Sequence, residues 1–145
     1  MRHRFATRDD AQVLGALNHQ LIQDEGHRNR MTIPQLAVRA ERLLASGYQA
    51  SIFEDNSGVL AYALYREEED HLYLRQFFVQ RHQRRRGVGR QCIKMLSSEI
   101  WPRNKRITVN VLCHNQPGIA FWQAMGFTDY CLTLELTPVA GQREK

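Results

Sequence analysis

The order of sequence patterns predicts a mixed α/β fold, a central and mostly antiparallel sheet flanked by helices. Two amphipathic helical patterns open the chain and three strand-like runs separated by short polar turns follow. The third of those strands then runs through a turn and a helix to a further strand, completing a βαβ unit. With 145 residues, 43% of them hydrophobic and 24% charged, there is chain enough for one substantial core and not for two. We therefore expect a single domain over residues 1–136 and a disordered tail over 137–145.

His3–Thr7 (HRFAT) reads as a short edge strand. Asp9 or Asp10 can then cap a helix whose Leu14, Leu17 and Leu21 fall at helical spacing, with Gly26 ending it. A second helix starts with a capping box, Thr32 to Gln35, and has Pro34 in its first turn. It carries Leu36, Ala40, Leu43 and Leu44 on one face and stops at Gly47. Tyr48–Glu54 and Val59–Arg66 are strand-like, and Asp55, Asn56, Ser57 and Gly58 between them have the composition of a hairpin turn. A third antiparallel strand, Leu72–Val79, follows the acidic run Glu67–Asp70, which we read as a solvated turn rather than a cation site. Val88, Cys92, Leu96 and Ile100 have the spacing of a helix laid on a sheet, and Pro102 ends it. Arg106–Leu112 (RITVNVL) supplies the parallel strand of the βαβ unit, whose crossover should be right-handed. Asn115–Phe127 contains a last helix, and Phe127–Leu136 is a last strand that packs back.

Composition argues against several roles. No apolar run approaches the ~18 residues of a membrane span, and MRHRFATRDD lacks the apolar stretch of a signal peptide, so a cytoplasmic location is the expectation. Cys92, Cys113 and Cys131 are odd in number, have no CxxC spacing and sit in apolar patterns. That makes them reduced packing residues, not a disulfide framework or a zinc site. The net charge of +5 would suit a polyanion. Much of the excess is local, in Arg81, Arg84, Arg85, Arg86 and Arg90, and it is not interleaved with aromatics as a nucleic-acid stacking surface would be.

That local excess points to chemistry. QRRRGVGR sets arginines against Gly87 and Gly89 just where Leu72–Val79 gives way to a helix. Glycines let the backbone approach a bulky anion, and the first-turn N–H groups of the helix can point at its oxygens, an arrangement suited to a pyrophosphate. The chain has no GxxxxGK[ST] loop, and Cys92 stands where the third glycine of GxGxxG belongs.

What stands here is RxxGxG, Arg84 to Gly89, five residues after the strand closes at Val79, and it resembles the acyl-CoA-binding motif of the GNAT superfamily of N-acyltransferases. The likeness extends over roughly residues 1–136. NQPGIAFWQAMGF (Asn115–Phe127) looks like that family's second cofactor segment, and LNHQLIQDEGHRNRMT and YLRQFFV resemble a bacterial subgroup whose substrates are mostly unassigned. The resemblance implies a GNAT-like fold whose βαβ unit binds acetyl-CoA as cosubstrate, with no metal. It further implies that the backbone of Phe77, Phe78 and Val79 pairs with the pantetheine amides. N–H groups of Arg84, Arg85, Arg86, Gly87, Val88, Gly89 and Arg90 would bind the pyrophosphate, and Asn115 and Phe121 would touch the cofactor. Acetyl transfer to a primary amine, and a homodimer as in many relatives, are implied in the same way.

A thioester is already activated, so the main catalytic demand is a deprotonated amine. An alkylamine of pKa ~10.4 is almost wholly protonated at neutral pH. By resemblance, a backbone amide near Val79 meets the oxyanion. Asp24 and Glu25 are the candidate bases: both lie in the last turn before Gly26, where the helix dipole disfavours a bare carboxylate by roughly 0.3–1 kcal/mol. Arg28 and Arg30 offer them the competing role of surface ion pairs, and His27 and Asn29 could share the same rim. An acidic pocket there would suit a cationic amine. Many relatives carry a tyrosine in the last helix that protonates the leaving thiolate; Trp122 stands here, which leaves Tyr130, Tyr73, water or no acid at all. The acceptor stays open between a small-molecule amine (polyamine, aminoglycoside or amino-acid-like) and a protein amine. A noncatalytic CoA-sensing or nucleic-acid-binding module is the alternative from a different class.

Overall fold

The structure, a computed structural model, describes residues 1–84 and 86–139, so Arg85 of the expected phosphate loop and most of the expected tail lie outside the described residues. Contacts group the chain into two units, Met1–Asn115 and Gln116–Lys145. The first holds a five-stranded sheet in the spatial order β1 (Arg2–Phe5), β2 (Gln49–Asp55), β3 (Gly58–Glu67), β4 (His71–Val79) and β5 (Arg106–Val109). The first three pairings are antiparallel and the last is parallel, the mixed, mostly antiparallel sheet that the pattern predicts.

Helices cover the sheet because its central strand is apolar on both faces. Leu60 through Tyr65 of β3 are all buried, the pattern of a strand packed above and below. Tyr62 and Leu64 join Ala50, Ile52 and Phe78 in a core with Leu14, Leu17 and Leu21 of α1 (Ala11–Glu25) and Ala40 of α2 (Ile33–Ala45). Ala61 and Ala63 alternate to the opposite face. Helix α3 (Val88–Met95) packs on β3 and β4 and buries Val88, Cys92 and Ile93. From Leu96 the helix widens: Trp101 N–H donates to the Leu96 carbonyl at 2.7 Å, a π-helical turn over Leu96–Ile100. The chain then leaves extended at Trp101, one residue before Pro102. None of the helices among the described residues is long and apolar enough to cross a membrane.

Local signals set most boundaries. Thr32 and Gln35 form the expected capping box, Thr32 Oγ1 accepting from Gln35 N–H at 3.3 Å and Gln35 Oε1 from Thr32 N–H at 2.9 Å. Gly26 ends α1 in the left-handed region, φ 66°. Asp10, expected to cap α1, does not cap forward; its carboxylate turns back to Thr7 N–H at 2.8 Å and to Arg4 at 3.0 Å, and α1 is entered through a short 3₁₀ turn over Arg8–Asp10. Cys92 is buried as expected, whereas Cys113 and Cys131 are exposed, because both fall in irregular segments beyond the sheet core.

In the second unit, α4 (Gln116–Ala124) buries Trp122, whose ring meets Phe121 at 4.9 Å and Phe127 at 5.0 Å, edge on in both cases. Among the described residues no strand is assigned over Phe127–Leu136, where one was expected. Tyr130, Leu132, Leu134 and Leu136 alternate as strand side chains would, yet each is 72–82% exposed. Alternation by itself predicts extended backbone; a strand is defined by the ladder it joins.

Gly15 sets how closely α1 and α2 approach: a Cβ there would lie 2.6 Å from the Ala37 backbone nitrogen. Gly15→Val should force the helices apart at a cost of about 1–3 kcal/mol, which calorimetry should read as a melting temperature several degrees lower.

Candidate active site

The site is built where β4 leaves register. β4 pairs with β3 from Ala61–Val79 back to Leu64–Gln76, then shifts so that Tyr65 faces Leu74, which leaves Arg75 as an extra residue. Such a bulge bends the strand and lets adjacent side chains, which would normally point to opposite faces, share one side. Arg75 and Gln76 accordingly line one cleft. The parallel ladder stops at the same place, with Leu74 opposite Val109. Arg106–Leu112 was expected to be strand throughout; residues 110–112 are not, since the extra residue carries β4 out of step with a parallel partner. The sheet therefore forks after Leu74, and β4 runs on through Arg75–Val79.

Pairing beyond the fork sorts the main-chain groups. Gln80 N–H donates to the Leu60 carbonyl at 2.9 Å. Antiparallel alternation then turns Phe78 main-chain groups toward β3, and those of Phe77 and Val79 toward the fork. Phe78 itself is a core side chain, 2% exposed. The Val79 carbonyl accepts from Arg84 Nε at 2.9 Å.

After a turn at Arg81–Gln83 the chain reaches Gly87, which has φ 72° and ψ 13°, a left-handed conformation that only glycine adopts freely, with no atom within 4 Å of where a Cβ would sit. Gln91 N–H makes the first helical bond, to Gly87 O at 3.0 Å, so the N–H groups of Val88, Gly89 and Arg90 belong to the open first turn of α3. Arg86 and Arg90 are exposed beside it. Arg84 is used differently from the expected phosphate contact. Its N–H donates to the Arg81 carbonyl at 3.3 Å, its guanidinium bonds Asp24 at 2.7 Å, and its charge lies 5.1 Å from the Phe78 ring centroid.

The two candidate bases have separate surroundings. Asp24 is held by Arg81 and Arg84. Burial pushes its carboxyl up, the two guanidinium hydrogen bonds outweigh that, and the net is a pKa below the ordinary aspartate value. It is a tie between α1 and the loop that follows β4. Glu25 instead sits among imidazole and amide groups: Oε1 lies 3.0 Å from His27 Nε2, Oε2 accepts from Asn115 Nδ2 at 3.1 Å, and the Glu25 carbonyl accepts from His114 Nε2 at 2.9 Å. Asn115 thus joins the segment after β5 to the end of α1.

A cleft of about 230 Å³ lies between α1, α2 and β4. His27 and Asn29 form part of its wall, as the rim reading suggested, together with Tyr73, Gln76, Arg39 and Arg75. Among the described residues no carboxylate lines it, and the cleft is basic where an acidic pocket was expected for a cationic amine. The Tyr73 hydroxyl accepts from Asn110 Nδ2 at 3.4 Å, and the Tyr62 hydroxyl donates to Gln76 Oε1 at 2.9 Å. Phe121 is half-buried and Tyr130 is 80% exposed, both within the second unit. Sequence reasoning missed Arg39, Arg75 and Gln76. The signal was present in Arg75, a charge inside the apolar run LYLRQFFV.

Asp24→Asn should loosen the loop at neutral pH. Because the folded pKa of Asp24 is depressed, its contribution is present above the ordinary value of 3.8 and is lost as pH falls through the lower folded value. Thermal melts of wild type and Asp24→Asn should differ at pH 7 and converge as the pH drops below that window.

The Acetyltransferase (GNAT) family model matches residues 18–127. No curated protein matches the chain. Among solved structures, a mutant form of the BH1408 protein from Bacillus halodurans superposes with a TM-score of 0.80 at 20% identity, covering 96% of this chain and 100% of that one. A predicted acetyltransferase from Clostridium acetobutylicum, solved with acetyl-CoA, gives 0.71 at 19% identity over 94% and 95%. Aminoglycoside N-acetyltransferase AAC(6')-Iy in complex with CoA gives 0.74 at 17% over 94% and 93%. At these identities the structures speak for the fold. The family match runs from within α1 to Phe127 and takes in both the fork and the glycine turn, and the chain belongs to the GNAT acetyltransferase family.

Proposed function

We propose that this protein moves an acetyl group from acetyl-CoA to a primary amine by direct attack. The observation that carries this reading is the glycine turn at Gly87 opening α3 at the end of β4, beside the fork that begins after Leu74. The N–H groups of Val88, Gly89 and Arg90 suit the pyrophosphate, with Arg86 and Arg90 adding charge. Main-chain groups of Phe77 and Val79, turned toward the fork, suit the pantetheine amides, and the Val79 N–H suits the carbonyl oxygen as it gains charge.

Glu25 takes the amine proton, directly or through His27, which stands between it and the cleft. The nitrogen then bonds the acetyl carbon, the C–S bond breaks and sulfur keeps the electron pair. A thiol of pKa ~8.5 leaves tolerably as its anion. Of the tyrosines considered as acids, Tyr73 lines the cleft and is the one we assign. Asp24, held in its ion pairs, serves the loop rather than the proton transfer.

Gly87→Glu should abolish acetyl-CoA binding in calorimetry while circular dichroism stays native; undiminished affinity would remove the pyrophosphate assignment. Glu25→Gln should lower kcat at saturating acetyl-CoA by roughly 10²-fold or more. An unchanged pH–rate profile would reject Glu25, and a loss confined to His27→Ala would move the role to the histidine. Thiol release with an amine panel supports the enzyme, whereas salt-sensitive DNA binding without affinity for CoA would support a binding module instead.

A further inference from the structure

Among the described residues, the cleft is lined by two arginines and no carboxylate. α2 brings Arg39 into its wall, and Arg39 Nε is buried without a hydrogen-bond partner. The β4 bulge brings Arg75, whose contacts are with Tyr48: Nη1 donates to the hydroxyl at 3.4 Å and the guanidinium lies 5.6 Å from the ring centroid. Among the described residues neither arginine has a carboxylate partner. The nearby acids are committed elsewhere, Asp24 to Arg81 and Arg84, and Glu25 to His27 and Asn115. Burial, and then the charge of Arg75, lower the Arg39 pKa from its ordinary value. Like charges held together with an unsatisfied buried donor are a cost that a bound anion relieves.

The remaining wall suits the same ligand. Gln76 Oε1 is taken by the Tyr62 hydroxyl, which leaves the amide nitrogen as the donor available to a ligand. Asn18 and Tyr73 add neutral polar groups. At about 230 Å³ the space is smaller than the ~300–1,000 Å³ of drug-sized ligand pockets, which favours a small group. A guanidinium presents parallel N–H donors in the spacing of a carboxylate. His27, bonded to Glu25, closes one side, so a molecule anchored by its anionic end at the arginines has its other end near the proposed base.

We infer that the acceptor is a small amino-acid-like amine whose carboxylate is held by Arg39 and Arg75. The inference deepens the acetyltransferase reading and rests on it. It sets aside the polyamine, aminoglycoside and protein-amine acceptors that the sequence left open.

Matched amines that differ in the carboxylate test it: L-lysine against cadaverine and L-ornithine against putrescine, followed by thiol release from acetyl-CoA, with phosphoethanolamine as a further arm. The carboxylated partner should be preferred by about tenfold or more in kcat/KM, the worth of one charge-assisted hydrogen bond. Arg75→Gln should erase that preference through the KM of the carboxylated amine, and Arg75→Glu should reverse it, with acetyl-CoA affinity retained in calorimetry. Diamines used equally well or better, or phosphoethanolamine used best, would overturn the inference while leaving acetyl transfer intact. Should no amine turn over, calorimetric binding of L-lysine and cadaverine decides: lysine binding that is lost in Arg75→Gln supports it, and absent or carboxylate-independent binding overturns it. Failure to bind acetyl-CoA would count against the enzyme reading itself.

Discussion

β4 is shared unequally between two ladders, and the candidate site depends on that inequality. Along its β3 edge it is paired through to Val79; along its β5 edge pairing ends at Leu74. Arg75 is the residue that makes the difference. An extra residue in an antiparallel pair can be absorbed as a bulge with local twist, whereas a parallel partner fed by a helical crossover must either follow or stop. Here β5 stops. The opening that results is flanked by main-chain groups of β4, has the glycine turn at its far end, and has the cleft of Arg39 and Arg75 beside its origin.

Charge is sorted around this opening by who is already paired. Asp24 and Arg84 close the glycine loop onto the end of α1, and Arg84 adds a bond to the Val79 carbonyl and a contact with the Phe78 ring. With Arg81 mostly exposed, the ion pair contributes modestly to stability; its larger effect is to fix where the loop starts. Glu25, one residue on, points into a different set of neighbours and keeps no guanidinium partner in that set. Two adjacent carboxylates in one helical turn thus acquire different chemistry from where the helix points each of them.

Much of the architecture was legible because it is written in local rules. Gly26 ends α1, Thr32 and Gln35 start α2, and the apolar spacing of Val88, Cys92 and Leu96 lays α3 on the sheet. The glycine turn was legible for the same reason, since Gly87 needs φ 72° whatever surrounds it. Some readings that required a particular partner failed. Asp10 had the composition of a cap and was claimed by Arg4 and Thr7, and Arg106–Leu112 was cut short at Val109. The basic cleft is the strongest instance, because Arg39 and Arg75 stand 36 positions apart and neither sits in a recognisable motif.

The chain by itself determined the fold class, the order of most of its helices and strands, and the place where a glycine turn follows a strand. Backbone propensities, caps and hydrophobic periods act over a few residues and need no knowledge of the rest. Only the tertiary structure decided which of Asp24 and Glu25 is tied up, where the sheet opens, and that the cleft of Arg39 and Arg75 is basic. Those outcomes depend on ladder register and on competition among charges brought together from α1, α2 and β4, and a single extra residue in one strand changes what every later side chain faces.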